Sequence, residues 1–278
     1  MTAHTSSRLA ALIALVVVGA VLAWCLLGPP SRDTGVAPSG LAVLPPDVGK
    51  QPLRVLFVGN SYTFVNDLPG VVQHLASAAG ERLRLEAVLE CPGGATLKQH
   101  WDSGRDVALL RESHFDWMVL QDQSEEPSFD RAQLETDLYP YVAKLVAAGR
   151  ETGTRAMLFL TWARRDGDTA NVHGDTYVAM QGRIVAGYET VAARLQVPVA
   201  PVGLAWQRAL ASSPGSSLWA SDGSHPSLAG TYLAACVIYD ALYGHSPAGN
   251  RFTAGLDGRI AATLQGVAAD TVAAYVQP

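Results

Sequence analysis

The sequence predicts an α/β fold. Short runs rich in β-branched and large apolar residues alternate along the chain with longer segments in which apolar residues recur at helical spacing. Strands that alternate with helices require right-handed crossovers, which give parallel strands covered by helices on both faces. With 278 residues, 49% of them hydrophobic and 16% charged, the chain can bury a substantial core. We therefore expect a three-layer α/β/α sandwich with a central parallel sheet of about five strands, a flavodoxin-like arrangement.

Each predicted element follows from this alternation. The first predicted strand, residues 53–58, ends at Gly59, and helical spacing begins a few residues later. The predicted strands cover residues 53–58, 83–89, 117–121, 156–161 and 198–202, and the predicted helices cover 65–79, 96–112, 130–150, 176–195, 204–211, 227–243 and 258–276. In parallel sheets the ligand lies beyond the carboxyl ends of the strands. The residues that follow each strand are therefore the ones to search for function.

A separate N-terminal segment precedes this domain. Residues 9–28 contain no charged side chain, and a run of this length can cross a bilayer as a helix. We interpret residues 1–28 as a signal anchor, with a signal peptide cleaved after Ala23 as the alternative. The bulky Trp24 argues against a lipid attachment site at Cys25. Both interpretations place the domain outside the cytoplasm, either membrane-anchored or secreted.

Residues 29–52 contain six prolines and few large apolar side chains, so they predict an extended linker to a domain at 53–278. The net charge of −5 and the absence of a basic cluster exclude nucleic acid as an expected partner. Cys91 and Cys236 lie far apart and form no C-x-x-C pair, so neither a zinc site nor a disulfide framework is indicated. We expect two buried free thiols, and neither a metal nor another cofactor.

Two sequence blocks carry the candidate chemistry. Ser61 follows the first strand, where backbone N–H groups and the dipole of the next helix favour developing negative charge. On its own, Ser61 could equally be a nucleophile or the cap of that helix. The second block places Asp222 three residues before His225, so one turn can hold a carboxylate against an imidazole whose other nitrogen faces a serine. Together the blocks predict a Ser61, His225 and Asp222 catalytic triad.

These blocks resemble those of the SGNH hydrolases, also called GDSL-type esterases and lipases. Gly59-Asn60-Ser61 stands where that family has Gly-Asp-Ser, and Asp222-x-x-His225-Pro is similar to its closing block. The resemblance spans most of residues 53–245. It implies ester hydrolysis through the triad, and it implies that Gly94, after the second strand, is the glycine of the oxyanion hole.

One block departs from the family pattern. After the third strand the family usually has Gly-x-Asn-Asp, whereas residues 120–124 here read Leu-Gln-Asp-Gln-Ser. Some carbohydrate-esterase branches look similar in having Gln followed by Gly-Glu-Ser. This similarity implies that the amide of Gln121 or Gln123 completes the oxyanion hole, and Gln121 matches that Gln. Alternatively, both side chains bind neighbouring loops.

The expected function is an extracytoplasmic serine esterase that removes short acyl groups, acetyl in particular, from an ester substrate such as an acylated carbohydrate. The N-terminal helix would attach it to a membrane. A lipid or small-ester hydrolase, an acyltransferase, and a non-catalytic glycan-binding module with the same fold are the alternatives. Four tryptophans, at positions 101, 162, 206 and 219, would either stack on sugar rings or pack in the core. Four further histidines, at positions 74, 100, 114 and 245, are expected at the surface or as caps.

Overall fold

A computed structural model describes residues 50–212 and 217–278. All of these residues belong to the second of two compact units of the chain, Ala42–Pro278. The predicted anchor at residues 1–28 and nearly all of the predicted linker at 29–52 lie outside the described residues. Among the helices of the described part, none is both long and apolar enough to cross a membrane.

A parallel five-stranded sheet forms the centre of the domain, as the sequence predicted. Its strands are β1 (Gln51–Val58), β2 (Leu83–Glu90), β3 (Trp117–Leu120), β4 (Arg155–Phe159) and β5 (Val199–Ala200). They lie in the order β2-β1-β3-β4-β5, with every pair parallel. The chain leaves β1 toward one edge of the sheet and returns to its other side as β3. This reversal creates a crevice beyond the ends of β1 and β3, where ligands of such sheets bind.

The helices match the predicted segments, except that two predicted helices are interrupted and a short helix, α1, precedes the predicted helix 65–79. They are α1 (Ser61–Phe64), α2 (Leu68–Ala79), α3 (Leu97–Ser103), α4 (Arg105–Glu112), α5 (Arg131–Gln133), α6 (Tyr139–Glu151), α7 (Tyr177–Leu195), α8 (Val202–Ser212), α9 (Leu228–Tyr243) and α10 (Gly258–Ala274). Gly104 divides the predicted helix 96–112 because its φ of 69° is left-handed. A 3₁₀ turn at Val65–Asp67 separates α1 from α2, and a π turn at Leu134–Leu138 separates α5 from α6.

The side chains of β1 alternate between two hydrophobic cores. Leu53, Val55 and Phe57 pack on the side of α2, α8, α9 and α10. Leu56 and Val58 pack on the opposite side with α3, α4, α6 and α7. This period of two, with helices covering both faces, gives the three-layer sandwich that the sequence predicted.

Aromatic rings continue the first core to the carboxyl edge of the sheet. Trp162 and Trp206 are fully buried and stack with ring centroids 4.2 Å apart. Tyr62 stacks on the other face of Trp162 at 4.5 Å. The indole of Trp219 is also buried, and its Nε1 donates to the carbonyl oxygen of Ala163 at 3.1 Å. For these three tryptophans, core packing is the correct interpretation and sugar stacking is wrong.

A glycine lets α7 approach the loop that follows β3. This loop contains a 3₁₀ turn at Glu126–Ser128. A β-carbon at Gly187 would lie 2.3 Å from the carbonyl oxygen of Pro127, which is closer than van der Waals contact allows. Gly187 is buried, whereas Gly182 on the same helix is exposed and a β-carbon there would meet nothing within 4 Å.

We predict opposite effects of alanine at these two positions. Gly187→Ala should destabilise the domain by about 1–3 kcal/mol because it forces the Pro127 turn away from α7. Gly182→Ala, the matched control, should stabilise it by roughly 0.5–1 kcal/mol through the higher helix propensity of alanine. Urea unfolding followed by circular dichroism measures both free energies. Equal effects of the two substitutions would contradict the close approach at Gly187.

Candidate active site

The nucleophile turn joins the end of β1 to α1 through Gly59 and Asn60. Asn60 is the N-cap of α1, since its Oδ1 accepts the Tyr62 N–H at 3.1 Å. The alternative role of Ser61 as the helix cap is therefore wrong. The Ser61 hydroxyl, at the first position of α1, bonds instead to a residue that lies 164 positions later in the chain.

The three predicted triad residues lie in one hydrogen-bonded line. The distance from Ser61 Oγ to His225 Nε2 is 2.9 Å, and the distance from His225 Nδ1 to Asp222 Oδ2 is 2.6 Å. An ionised carboxylate only accepts, so Nδ1 carries the imidazole proton and Nε2 offers a lone pair to the serine. This is the arrangement in which a histidine acts as a general base.

The carboxylate of Asp222 is also fixed by the backbone of its own turn. Its Oδ1 accepts the N–H groups of Ser224 at 2.9 Å and His225 at 3.0 Å. Burial alone would raise the pKa of Asp222, but the hydrogen bonds from Ser224 and His225 outweigh it and hold this pKa below its usual range. The acid therefore stays ionised opposite the imidazole.

Contacts from the first core hold this turn near Ser61. The hydroxyl groups of Tyr62 and Ser224 lie 2.8 Å apart, and Trp162 Nε1 donates to the carbonyl oxygen of Ser224 at 3.0 Å. Asn66 Nδ2 donates to the carbonyl oxygen of Pro226 at 3.1 Å. The aromatic stack and the nucleophile turn thus fix a segment that is remote in sequence.

The loop after β2 lies beside the nucleophile turn and carries Gly94. Asn60 Nδ2 donates to the carbonyl oxygen of Ala95 at 3.0 Å, and this bond joins the two loops. Gly94 has a left-handed φ of 70°, which favours glycine. Neither the Ser61 nor the Gly94 backbone N–H donates to an acceptor within residues 50–212 and 217–278. Both donors are available to an oxyanion.

The two glutamines after β3 are both hydrogen-bonded within the protein, and for the buried Gln121 this corrects the predicted role in the oxyanion hole. Gln121 is fully buried, and its Oε1 accepts the Asn60 N–H and the Thr63 hydroxyl, each at 3.0 Å. Its Nε2 donates to the carbonyl oxygen of Asp122. Gln123 Oε1 accepts the N–H groups of Glu125 at 2.6 Å and Glu126 at 3.2 Å. Gln121 thus supports the nucleophile turn from below the surface, whereas Gln123 binds the backbone of its own loop and its role as an oxyanion donor stays a prediction.

The contact between Gln121 and the nucleophile turn requires a glycine at position 59. A β-carbon at Gly59 would lie 2.6 Å from Gln121 Oε1 and 2.8 Å from Thr63 Oγ1. Gly59 therefore leaves room for the side-chain amide of Gln121, which holds the turn.

Acidic side chains that the sequence did not single out lie under the same loops. Asp122 is fully buried, and its Oδ1 accepts the N–H groups of Leu97 at 2.9 Å and Gln123 at 2.7 Å. Burial raises the pKa of Asp122, and burial together with the neighbouring Asp122 raises the pKa of Glu126. The two carboxyl groups therefore retain a proton between them, and Asp122 holds the start of α3 beside Gly94.

Another residue that the sequence placed wrongly is His100, which was expected at the surface or as a cap. It is 3% exposed, and its Nε2 lies 2.8 Å from the carbonyl oxygen of Gly59. The helix breaks at Gly104, and the change of direction between α3 and α4 buries His100. The apolar pattern of the sequence did not show this break. Across the described ranges, no three His, Cys, Asp or Glu side chains converge as a metal site would require.

No family model and no curated protein matches the sequence. Among solved structures, a protein from Slackia heliotrinireducens described as a candidate SGNH hydrolase is 27% identical, with a TM-score of 0.56, over 68% of this chain and 98% of that one. A DUF4886 family protein from Bacteroides uniformis is 21% identical, with a TM-score of 0.68, over 81% of this chain and 96% of its own.

An acetylxylan esterase from Geobacillus stearothermophilus is also similar in structure. It is 15% identical, with a TM-score of 0.54, over 73% of this chain and 99% of its own. At that identity the likeness concerns the fold. The chain therefore has the fold that these SGNH hydrolase and esterase structures share.

Proposed function

We propose that this chain is a serine-dependent ester hydrolase that removes short acyl groups, acetyl in particular, by transfer to Ser61 and then to water. The observation that carries the proposal is the hydrogen-bonded line from Asp222 through His225 to Ser61, with distances of 2.6 Å and 2.9 Å. The direction of proton transfer follows from this line. The ionised carboxylate of Asp222 accepts from Nδ1 of His225, so Nε2 is the nitrogen that accepts the Ser61 proton. The fold of the SGNH hydrolases supports the same reaction class.

The mechanism follows from these contacts. Ser61 Oγ attacks the ester carbonyl carbon while His225 Nε2 takes the hydroxyl proton, and the tetrahedral oxyanion forms. Collapse of this intermediate breaks the bond to the alcohol, which receives the proton from His225. Water, deprotonated by His225, then attacks the acyl-serine, and Ser61 regains its proton as the acid leaves. Asp222 stabilises the imidazolium in each half of the cycle.

The oxyanion is stabilised in this mechanism by the backbone N–H groups of Ser61 and Gly94. Asn60 sets their separation, because it caps α1 beside Ser61 and bonds Ala95 beside Gly94. Removing one donor from such a hole typically lowers kcat by about 100-fold to 1,000-fold. The contacts of Asn60 therefore support the oxyanion hole on which this mechanism depends.

The exposure of the triad favours an acyl group carried on a large molecule. The side chain of Asp222 is 48% exposed and that of His225 is 39% exposed, so the triad lies at the protein surface. An acylated carbohydrate can reach such a site, and the fold likeness to an acetylxylan esterase supports this substrate class.

Location outside the cytoplasm is part of the same proposal. It rests on the charge-free run at residues 9–28, which would carry the domain across a membrane.

A substrate series tests this proposal. The full chain should hydrolyse p-nitrophenyl acetate faster than the butyrate and decanoate esters, and it should release acetate from acetylated xylan. EDTA should leave these rates unchanged, and Ser61→Ala should lower them by about 1,000-fold or more. Ser212→Ala, on the exposed end of α8, is the matched control and should retain the wild-type rate.

The alternatives give different outcomes in the same series. Faster hydrolysis of the decanoate would identify a lipid-type hydrolase. Acyl transfer to a sugar in excess of acid release would identify an acyltransferase. Glycan binding without turnover would identify a non-catalytic module. Hydrolysis that disappears with EDTA and returns with a divalent cation would contradict the serine mechanism.

A second prediction concerns Asn60. Asn60→Asp restores the family's Gly-Asp-Ser block, but it replaces the amide donor with an oxygen that faces the carbonyl oxygen of Ala95. We expect kcat to fall by about 10-fold to 100-fold with little change in KM, because the Gly94 loop shifts away from Ser61. Steady-state kinetics on p-nitrophenyl acetate measures both constants.

Asn250→Asp is the matched control for this substitution. Asn250 makes the same two bonds far from the triad, since its Oδ1 accepts the Phe252 N–H at 3.0 Å and its Nδ2 donates to the carbonyl oxygen of Leu75 at 2.9 Å. It should lose stability without losing kcat in the folded protein. Wild-type kcat in Asn60→Asp would refute the role of Asn60 in joining the two loops.

A further inference from the structure

A second aspartate–histidine pair lies under the nucleophile turn. His100 on α3 and Asp106 on α4 are held together by a 3.0 Å contact between Nδ1 and Oδ2. Their side chains are only 2% and 1% exposed. Gly104, between the two helices, allows the reversal that brings them together. The pair is therefore closed to substrate, unlike the Asp222–His225 pair.

The other nitrogen of His100 fixes its protonation. Nε2 lies 2.8 Å from the carbonyl oxygen of Gly59, which can only accept, so Nε2 carries a proton. The contact between Nδ1 and Asp106 needs a proton as well, on one atom or the other. The pair thus holds one proton more than a neutral imidazole beside a carboxylate. Burial opposes the charged form, but Asp106, the Gly59 carbonyl and Asp122 together raise the pKa of His100 above its usual value.

His100 and His225 each pair with an aspartate through Nδ1, and they differ in the group that Nε2 faces. His225 Nε2 faces the Ser61 hydroxyl, which can donate, so that imidazole can be neutral and act as a base. His100 Nε2 faces a carbonyl and can only donate. The same pairing of acid and imidazole gives a base in one place and a fixed hydrogen-bond donor in the other.

His100 and Gln121 bind the two ends of one peptide group. The carbonyl of the Gly59–Asn60 peptide accepts from His100, and its N–H donates to Gln121 Oε1 at 3.0 Å. The peptide is trans, so these groups point in opposite directions and the plane is held from both sides. Ser61 is the next residue, and its position depends on the orientation of this plane.

We infer that His100, held by Asp106, is a positioning residue that fixes the Gly59–Asn60 peptide and thereby the Ser61 nucleophile. The inference rests on the proposed function. Desolvation of a buried ion pair usually offsets much of its attraction, and apolar side chains of similar size often stabilise a core as well or better. Stability alone therefore does not account for this pair. A hydrogen-bond donor that points at the Gly59 carbonyl of the nucleophile turn does account for it.

Other titratable groups face the pair from the neighbouring strand ends. Asp122 follows β3 and favours the protonated form of His100. Cys91 follows β2, and burial raises its pKa to about 12, so its thiol is neutral. The surroundings therefore favour the protonated form of the pair.

Three substitutions of His100 in the full chain test the inference. His100→Gln keeps an N–H donor at the position of Nε2, whereas His100→Asn is too short and His100→Leu has no donor. We expect kcat on p-nitrophenyl acetate to fall less than about tenfold in the Gln variant and by about 100-fold in the other two, with KM nearly constant. The rate at which a fluorophosphonate modifies Ser61 should fall in parallel.

His245→Gln is the matched control. His245 Nδ1 contacts Glu81 Oε1 at 2.8 Å, but Glu81 precedes β2 and so lies at the opposite end of the sheet, and the imidazole is 65% exposed. It should retain wild-type kcat. If the Asn and Leu variants fold, as judged by circular dichroism, and also retain wild-type kcat, the positioning role is wrong. A wild-type protein without esterase activity or labelling would instead refute the proposed function.

Nuclear magnetic resonance tests the pair without relying on activity or on a variant that folds. In the wild type labelled with ¹⁵N-histidine, the ring signals of His100 should show two protonated nitrogens, or a proton shared with Asp106, at a pH of about 7.5, where an ordinary histidine is neutral. A neutral His100 with its only proton on Nδ1 would overturn the inference, because Gly59 would then have no donor.

Discussion

The architecture of the site depends on the polarity of one buried amide. Asn60 is 2% exposed and joins the loops after three adjacent strands. Its side chain accepts from Tyr62 after β1 and donates to Ala95 after β2, and its backbone N–H donates to Gln121 after β3. Only one orientation of the amide satisfies these contacts, because Ala95 contributes an acceptor and Tyr62 a donor. The position of Ser61 relative to Gly94 follows from that orientation.

The hydrophobic core positions the turn that carries the acid and the base of the triad. The turn that carries Asp222 and His225 lies far from Ser61 in sequence, and it is fixed through Ser224 by Tyr62 and Trp162. These rings belong to the aromatic stack over the sheet, so the packing that stabilises the fold also sets the distance between base and nucleophile. The crevice between β1 and β3 accounts for the location of the site. Hydrogen bonds between loops account for its geometry.

Much of this could be predicted from the sequence, because the signals are local. Each strand shows its own apolar run, and the spacing of Asp222 and His225 alone places acid and imidazole in one turn. Long-range contacts were harder to predict. The burial of His100 and the role of Gln121 depend on partners that are distant in the chain, such as Gly59 and Asn60. The fifth strand is only Val199–Ala200, shorter than expected, because the prolines on either side have no N–H to donate to a sheet.

The central claim, that Ser61 is the nucleophile, is tested most directly by chemical modification. Treatment of the full chain with a fluorophosphonate, followed by proteolysis and mass spectrometry, should find the adduct on the peptide that contains Ser61. Modification should be lost in Ser61→Ala and slowed by an excess of acetate ester. An adduct on a different serine, or a protein that hydrolyses esters while Ser61 stays unmodified, would contradict the account.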